Sequence, residues 1–165
     1  MRRRLIATLM TALVVAGIVA APVSAKQPTI ADIAVANGSL TTLVAALSCT
    51  DLVGAVADRK ANLTVFAPTD SAFGKLGLNA RNICWLPKGI LANILTYHVA
   101  PGTRLASDVL ATRMIPTLNG GSLYPSVRMG NAYLNLYAQF VATDIVAANG
   151  VIHVIDAVLV PARLI

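Results

Sequence analysis

Four glycine-bearing breaks cut the second half of the chain into apolar runs too short to be helices. They fall at Gly102, Asn119-Gly120-Gly121, Gly130-Asn131 and Asn149-Gly150. Glycine and asparagine reach the left-handed backbone that tight hairpins require, so short apolar runs between them read as successive antiparallel strands. Met129-Gly130-Asn131, ahead of Ala132 to Leu136, is the clearest hairpin. The run from Val151 to Val160 is the most β-rich, and Pro161 closes it. Strand alternation places Val151, His153, Ile155, Ala157 and Leu159 on one face, with Ile152, Val154, Asp156, Val158 and Val160 on the other.

The first half has a different period. Thr29 precedes Ile30, Ile33 and Ala34, and Asn37-Gly38 ends the pattern, which predicts a short capped helix. Ser39 is placed to cap a second helix carrying Leu40, Leu43, Val44 and Leu47, and Asp51 a third carrying Leu52, Val53 and Val56. Leu63 to Phe66 is β-branched and aromatic, a buried strand stopped by Pro68. Thr69 or Asp70 then caps a short helix holding Ala72, Phe73 and Leu76. Pro87 suits the first turn of a further helix through Leu91, Ile94 and Leu95. Helices followed by strands, with no internal repeat or linker, predict one α+β domain.

The first 25 residues stand apart. Three arginines, an uncharged apolar stretch from Leu5 to Ala21 and the small residues Val23-Ser24-Ala25 follow the order of a secretory signal peptide cut after Ala25. An uncleaved anchor helix is the alternative. The expected mature chain, residues 26–165, has ten basic and seven acidic side chains, a net charge of +3. Those charges are scattered, which argues against nucleic acid as a partner. The expected location is secreted or extracytoplasmic, with no stable membrane insertion after cleavage. In such a compartment Cys49 and Cys84 are expected to pair, the alternative being two buried free thiols. Two Cys and two distant His lack metal-ligand spacing, and no cofactor-binding pattern is present.

Three ordered segments carry a resemblance: Thr64-Val65-Phe66-Ala67-Pro68-Thr69-Asp70-Ser71-Ala72-Phe73, then Tyr97-His98-Val99, then Asn149-Gly150-Val151-Ile152-His153-Val154-Ile155-Asp156. Together they resemble the two signature blocks and the tyrosine–histidine pair of the fasciclin-type domain, over about 29–161. The secreted single-copy layout is similar to bacterial and mycobacterial secreted members. The resemblance implies a seven-stranded β-wedge flanked by several short helices. It also implies adhesion rather than catalysis. In animal matrix relatives an Asp-Ile pair before the second block and the tyrosine–histidine segment are assigned to integrin contact. Here these are Asp144-Ile145 and Tyr97-His98, although Ala142-Thr143 and Val146 depart from the animal flanks.

Each candidate has a structural role beside the functional one. Thr69 and Asp70 cap the short helix after Pro68, or act as acid or base. His98, His153 and Asp156 are buried polar groups satisfied by backbone, or ligand contacts. His153 and Asp156 point to opposite faces and cannot form a dyad. Asp144 holds the turn into the last hairpin or presents its carboxylate to a partner. No nucleophile elbow, zinc-protease helix, phosphate loop or dinucleotide fingerprint occurs, and all seven acids are Asp, which argues against a paired-carboxylate glycosidase. The expectation is a non-catalytic module that binds a cell-surface or matrix protein or polysaccharide. A carrier of a small apolar ligand, held between helices and wedge, is the alternative.

Overall fold

The computed structural model describes residues 26–162; the expected leader and residues 163–165 lie outside them. Three short helices, α1 (Ile30–Ala36), α2 (Thr41–Cys49) and α3 (Val53–Ala57), precede strand β1 (Leu63–Pro68) and helix α4 (Asp70–Gly74). A 3₁₀ turn at Ile83–Trp85 leads into α5 (Lys88–Tyr97), then β2 (Val99–Pro101) and α6 (Ala106–Ala111). The remainder is β3 (Ile115–Pro116), β4 (Ser122–Leu123), β5 (Pro125–Arg128), β6 (Asn131–Leu134), β7 (Ala138–Ala147) and β8 (Gly150–Ile155). The α+β class holds, with eight strands among the described residues where seven were expected; five of the eight are only two to four residues long.

Six strands form one sheet in the order β2-β1-β8-β7-β6-β5, and β3 pairs with β4 separately. The pairs are antiparallel except β1 with β8, which run parallel from Leu63↔Gly150 to Pro68↔Ile155. That parallel pair explains why both signature blocks are continuous apolar runs: β1 and β8 are buried along their whole length. Alternation then splits the core. Val65, Ala67, Ile152 and Val154 pack with α1, α2 and α5, whereas Phe66 and Ile155 pack with Tyr97, Val109, Leu123 and Leu134 on the other side.

The sites where local signals misplace an element share a cause, a partner supplied from a distance. Helix α2 starts at Thr41, and Ser39 does not cap it. Asp51 does not cap α3; it sits at φ 59° and its carboxylate pairs with Lys88. Helix α6 lies where strands were expected. The last strand stops at Ile155, five residues before the expected end, because Asp156 turns back: its N–H donates to the Gln139 carbonyl (3.0 Å) and its carboxylate accepts from the Gln139 N–H (2.8 Å).

Gly150 is required by contact. It sits at φ 152°, and a Cβ there would lie 1.8 Å from the Leu63 carbonyl oxygen across the parallel pair. Between α1, α2, α5 and the sheet, the apolar core leaves a void of only about 10 Å³, bordered by Leu43, Val65, Leu95, His98 and Ile152. That is about the room one water-sized sphere needs, so a carried apolar ligand would require the core to repack. No helix among the described residues is long and apolar enough to cross a membrane.

Candidate functional site

The first signature block forms a corner in which two adjacent side chains cap two different helices. Thr69 Oγ1 accepts from the Ala72 N–H (3.1 Å) at the start of α4. Asp70 reaches across to α2 instead, accepting from the Thr42 N–H (2.7 Å), the Thr41 N–H (3.3 Å) and the Thr41 hydroxyl (2.7 Å). Partial burial pushes the Asp70 pKa up, but the hydrogen bonds from Thr42 and Thr41 outweigh it and hold the carboxyl below its ordinary value. Both carboxylate oxygens accept from the start of α2, which is the arrangement of a cap.

Tyr97 and His98 lie inside the protein. The Tyr97 hydroxyl donates to the Ser122 carbonyl (2.9 Å) and accepts from Asn135 Nδ2 (3.1 Å). His98 Nδ1 lies 2.8 Å from the Ile94 carbonyl, and Nε2 accepts from the Leu159 N–H (2.9 Å). An N–H facing Nε2 fixes the neutral tautomer with its proton on Nδ1. Burial lowers the His98 pKa to about 4, against a smaller upward pull from the Ile94 bond. Neither side chain is placed to touch a partner directly.

Asp144 occupies a bulge. β7 carries register shifts between Phe140 and Ala142 and between Ala142 and Ile145, and Asp144 stands at φ 58°. Its backbone is held by His153, whose Nδ1 accepts from the Asp144 N–H (3.3 Å) while Nε2 donates to the Arg104 carbonyl (2.9 Å). The imidazole is itself fixed, stacked on Phe66 and edge-on to Phe140 with centroids 5.7 Å away in each case. Burial lowers the His153 pKa; the Arg104 bond and the Asp144 charge oppose it. Asp144 Oδ1 then accepts from the Ala106 N–H (2.7 Å), capping α6 from 38 residues away. The carboxylate is exposed, as are Val141, Thr143 and Val146 along the same strand, whereas Ile145 is half-buried against the helical side of the core.

The other candidates are dispersed. Asp156 anchors the β8 end and faces Lys75, whose Nζ also donates to the Asp156 carbonyl (2.8 Å). Its carboxylate bonds Gln139 rather than His153. Cys49 and Cys84 are bridged, with Cα atoms 5.8 Å apart, tying the end of α2 to the 3₁₀ turn. Among the described residues no three His, Cys, Asp or Glu side chains are grouped to hold a metal ion.

Two features carried no local signal. Asn149 is buried; its Oδ1 accepts from the Ile30 N–H (2.9 Å) and its Nδ2 donates to the carbonyls of Val56 (2.8 Å) and Asp58 (3.0 Å). One carboxamide thus closes the start of α1 and the end of α3 onto the β7–β8 turn. Tyr124, Leu136 and Tyr137 wall a groove above Tyr97, assembled from positions with no common spacing.

The model of the fasciclin domain matches residues 38–161. Protein sll1483 of Synechocystis sp. is 41% identical over 135 residues, covering 81% of this chain and 73% of that protein. Immunogenic protein MPB70 of Mycobacterium bovis is 36% identical over 141 residues, covering 82% of this chain and 70% of its own length. Among solved structures, the domain pair from the insect cell adhesion molecule fasciclin I superposes with a TM-score of 0.69 over 82% of this chain at 17% identity. This chain spans 52% of that pair, and the likeness concerns the fold. A family match over most of the described residues, two relatives above 35% identity and a shared fold agree: the chain belongs to the fasciclin domain family.

Proposed function

We propose that this protein is a non-catalytic adhesion or interaction module, acting outside the cytoplasm, that engages a cell-surface or matrix protein or polysaccharide through the β7 bulge. The observation that carries the reading is Asp144. Its carboxylate is exposed on a left-handed residue, yet the backbone beneath is locked by His153 and the side chain is oriented by Ala106. A rigid, exposed charge beside Val141 (61% exposed) and Val146 (55% exposed) is the composition of a contact point with an apolar margin. One solved structural neighbour comes from a cell adhesion molecule, which supports the class of function and not the partner. Tyr97 and His98, being buried, act in this reading by positioning: one holds Asn135, the other the chain at Leu159.

The test is attachment of the purified chain to intact cells, envelope polysaccharides and matrix proteins. Asp144→Asn keeps an oxygen for the Ala106 cap and removes the charge, and Val146→Lys alters the exposed margin without touching a hydrogen bond. Binding weakened at least tenfold in both, with unchanged thermal midpoints, is the expected result. Binding unchanged in both removes the bulge as the contact site.

A further inference from the structure

His153 holds the bulge through a protonation state that one proton would undo. The residue is fully buried, and its ring nitrogens serve opposite roles: Nδ1 accepts from the Asp144 N–H (3.3 Å), while Nε2 donates to the Arg104 carbonyl (2.9 Å). An imidazolium donates from both nitrogens. Whichever way the ring is turned, an added proton sets an N–H of the ring against the Asp144 N–H. That hydrogen bond does not survive protonation.

The ring is not the part that gives way. Phe66 stacks on it and Phe140 meets it edge-on, with centroids 5.7 Å away in each case, and the Arg104 carbonyl keeps its bond in either protonation state. The Phe66 face also favours a charged ring over it. Asp144 is exposed, at a bulge where β7 has already left its regular register. Among the described residues its carboxylate accepts one hydrogen bond, from the Ala106 N–H (2.7 Å). That carboxylate belongs to the same residue as the displaced N–H, so a change of side-chain rotamer carries an acceptor to the new donor.

Few charges surround the imidazole. β1 and β2 carry no ionisable side chain, and β7 carries Asp144 alone. The segment between β2 and α6 adds Arg104, which forms no ion pair among the described residues. Asp108 of α6 accepts from the Leu105 N–H (3.1 Å), and Asp156, past the end of β8, is engaged with Gln139 and Lys75. Asp144 is thus the anion placed to answer an imidazolium, and its charge already opposes the lowering of the His153 pKa by burial. Protons bind the paired arrangement more tightly than the capped one, so acid shifts the population towards the pair.

We propose that His153 is a proton-operated latch on Asp144: on taking up a proton the ring releases the Asp144 N–H, draws the carboxylate off Ala106 into an ion pair and withdraws that charge from the exposed face. The loss of attachment that follows in acid rests on the adhesion reading; the latch itself does not.

The experiment is an NMR titration of the purified chain, labelled with ¹³C and ¹⁵N, from about pH 7.5 to about 4, which needs no partner. The chain has two histidines, so their ring signals are readily told apart. The His153 Nδ1, the Asp144 and Ala106 amides and the Asp144 carboxyl carbon should change together, with one midpoint below 6.5. The Leu159 amide should follow His98 instead. Asp144→Asn removes the counter-charge and should lower the His153 midpoint by about half a pH unit or more. His153→Asn keeps an acceptor for the Asp144 N–H but does not titrate, so the Ala106 amide should then pass the parent's midpoint unchanged. That variant separates the latch from protonation of Asp144 itself. A His153 ring that titrates while the Ala106 amide stays put overturns the proposal, as does a midpoint indifferent to Asp144→Asn. A simultaneous change of every amide, Thr42 included, means acid unfolding and overturns it too. Attachment to intact cells, envelope polysaccharides and matrix proteins, read at pH 7.5 and one unit below the midpoint, should fall at least fivefold. A coupled titration with attachment unchanged upholds the latch and overturns the adhesion reading instead.

Discussion

Helices α2 and α6 are both started by an aspartate from a distant strand corner, but they are secured to very different degrees. Asp70 gives α2 three hydrogen bonds, and the far end of α2 is fastened by the Cys49–Cys84 bridge. Asp144 gives α6 one hydrogen bond, from a left-handed residue that depends on His153 for its own position. The helix that packs on the larger core is clamped at both ends. The helix beside the proposed contact face is held by that one long-range bond and by its own Asp108, whose carboxylate accepts from the Leu105 N–H (3.1 Å). In this molecule the rigid scaffold and the presenting surface are built with the same device at different strengths.

The largest expected effect is on the clamped side. Replacing both Cys49 and Cys84 by serine releases a 35-residue loop in the unfolded chain, worth about 4 kcal/mol in the chain-entropy model and often less. Denaturant unfolding should show that loss. An effect below about 1 kcal/mol would mean that packing and the Asp70 cap already secure α2, and the contrast with α6 would then rest on caps alone.

Acid should separate the two regions next. The folded pKa of His98 is about 4 against 6.5 in the unfolded chain, and that of His153 is also lowered. Between those values the unfolded state binds protons that the folded state refuses. Stability is therefore complete above about pH 6.5, falls as the pH drops towards 4, and levels off below; His98 alone accounts for about 3 kcal/mol. Asp70 has the opposite dependence on ionisation. Its lowered carboxyl pKa contributes stability that is present above about 3.8 and is lost only as the pH falls through the folded value. Hydrogen exchange at pH 5 should thus show protection falling at all three of the Ala106, Asp144 and Thr42 amides, and falling further at Ala106 and Asp144, which depend on His153. Equal loss at all three would mean that the chain opens as one unit, with no weaker region near the bulge.

How much of this was legible depends on the range of each interaction. Thr69 capping its own helix, the hairpin at Met129-Gly130 and the alternation through Ile155 are set by neighbours in sequence, and the structure has them where the local chemistry puts them. Helix α6 was not legible because its cap position is Leu105, which has no acceptor; the missing oxygen comes from Asp144. Asp70 looked like part of the cap for α4 because the helix it serves lies 28 residues earlier. For Tyr97-His98 the resemblance implies a contact and the junction position allows a structural hydrogen bond, and burial is not visible from the pair itself. Asn149 announced a turn but gave no sign that its carboxamide would join α1 to α3.

Aspartate substitutions give the smallest and most discriminating effects. Asp70→Ala should cost about 2 kcal/mol, since a charged acceptor and two backbone donors lose their partners. Asp144→Ala should cost about 1 kcal/mol, for one exposed cap and a poorer left-handed residue. Asp144→Gly divides those two contributions. Glycine removes the cap of α6 but accepts φ 58° freely, so the two changes oppose each other and the net should fall within about 0.5 kcal/mol of the parent. If Asp144→Gly is as damaging as Asp144→Ala, the Ala106 cap is the main reason for an aspartate here, and the residue belongs to the fold. If Asp144→Gly is the more stable protein, backbone strain outweighs the cap. The chain then keeps a carboxylate where glycine would hold the bulge better, and recognition by that carboxylate is the remaining physical reason for it.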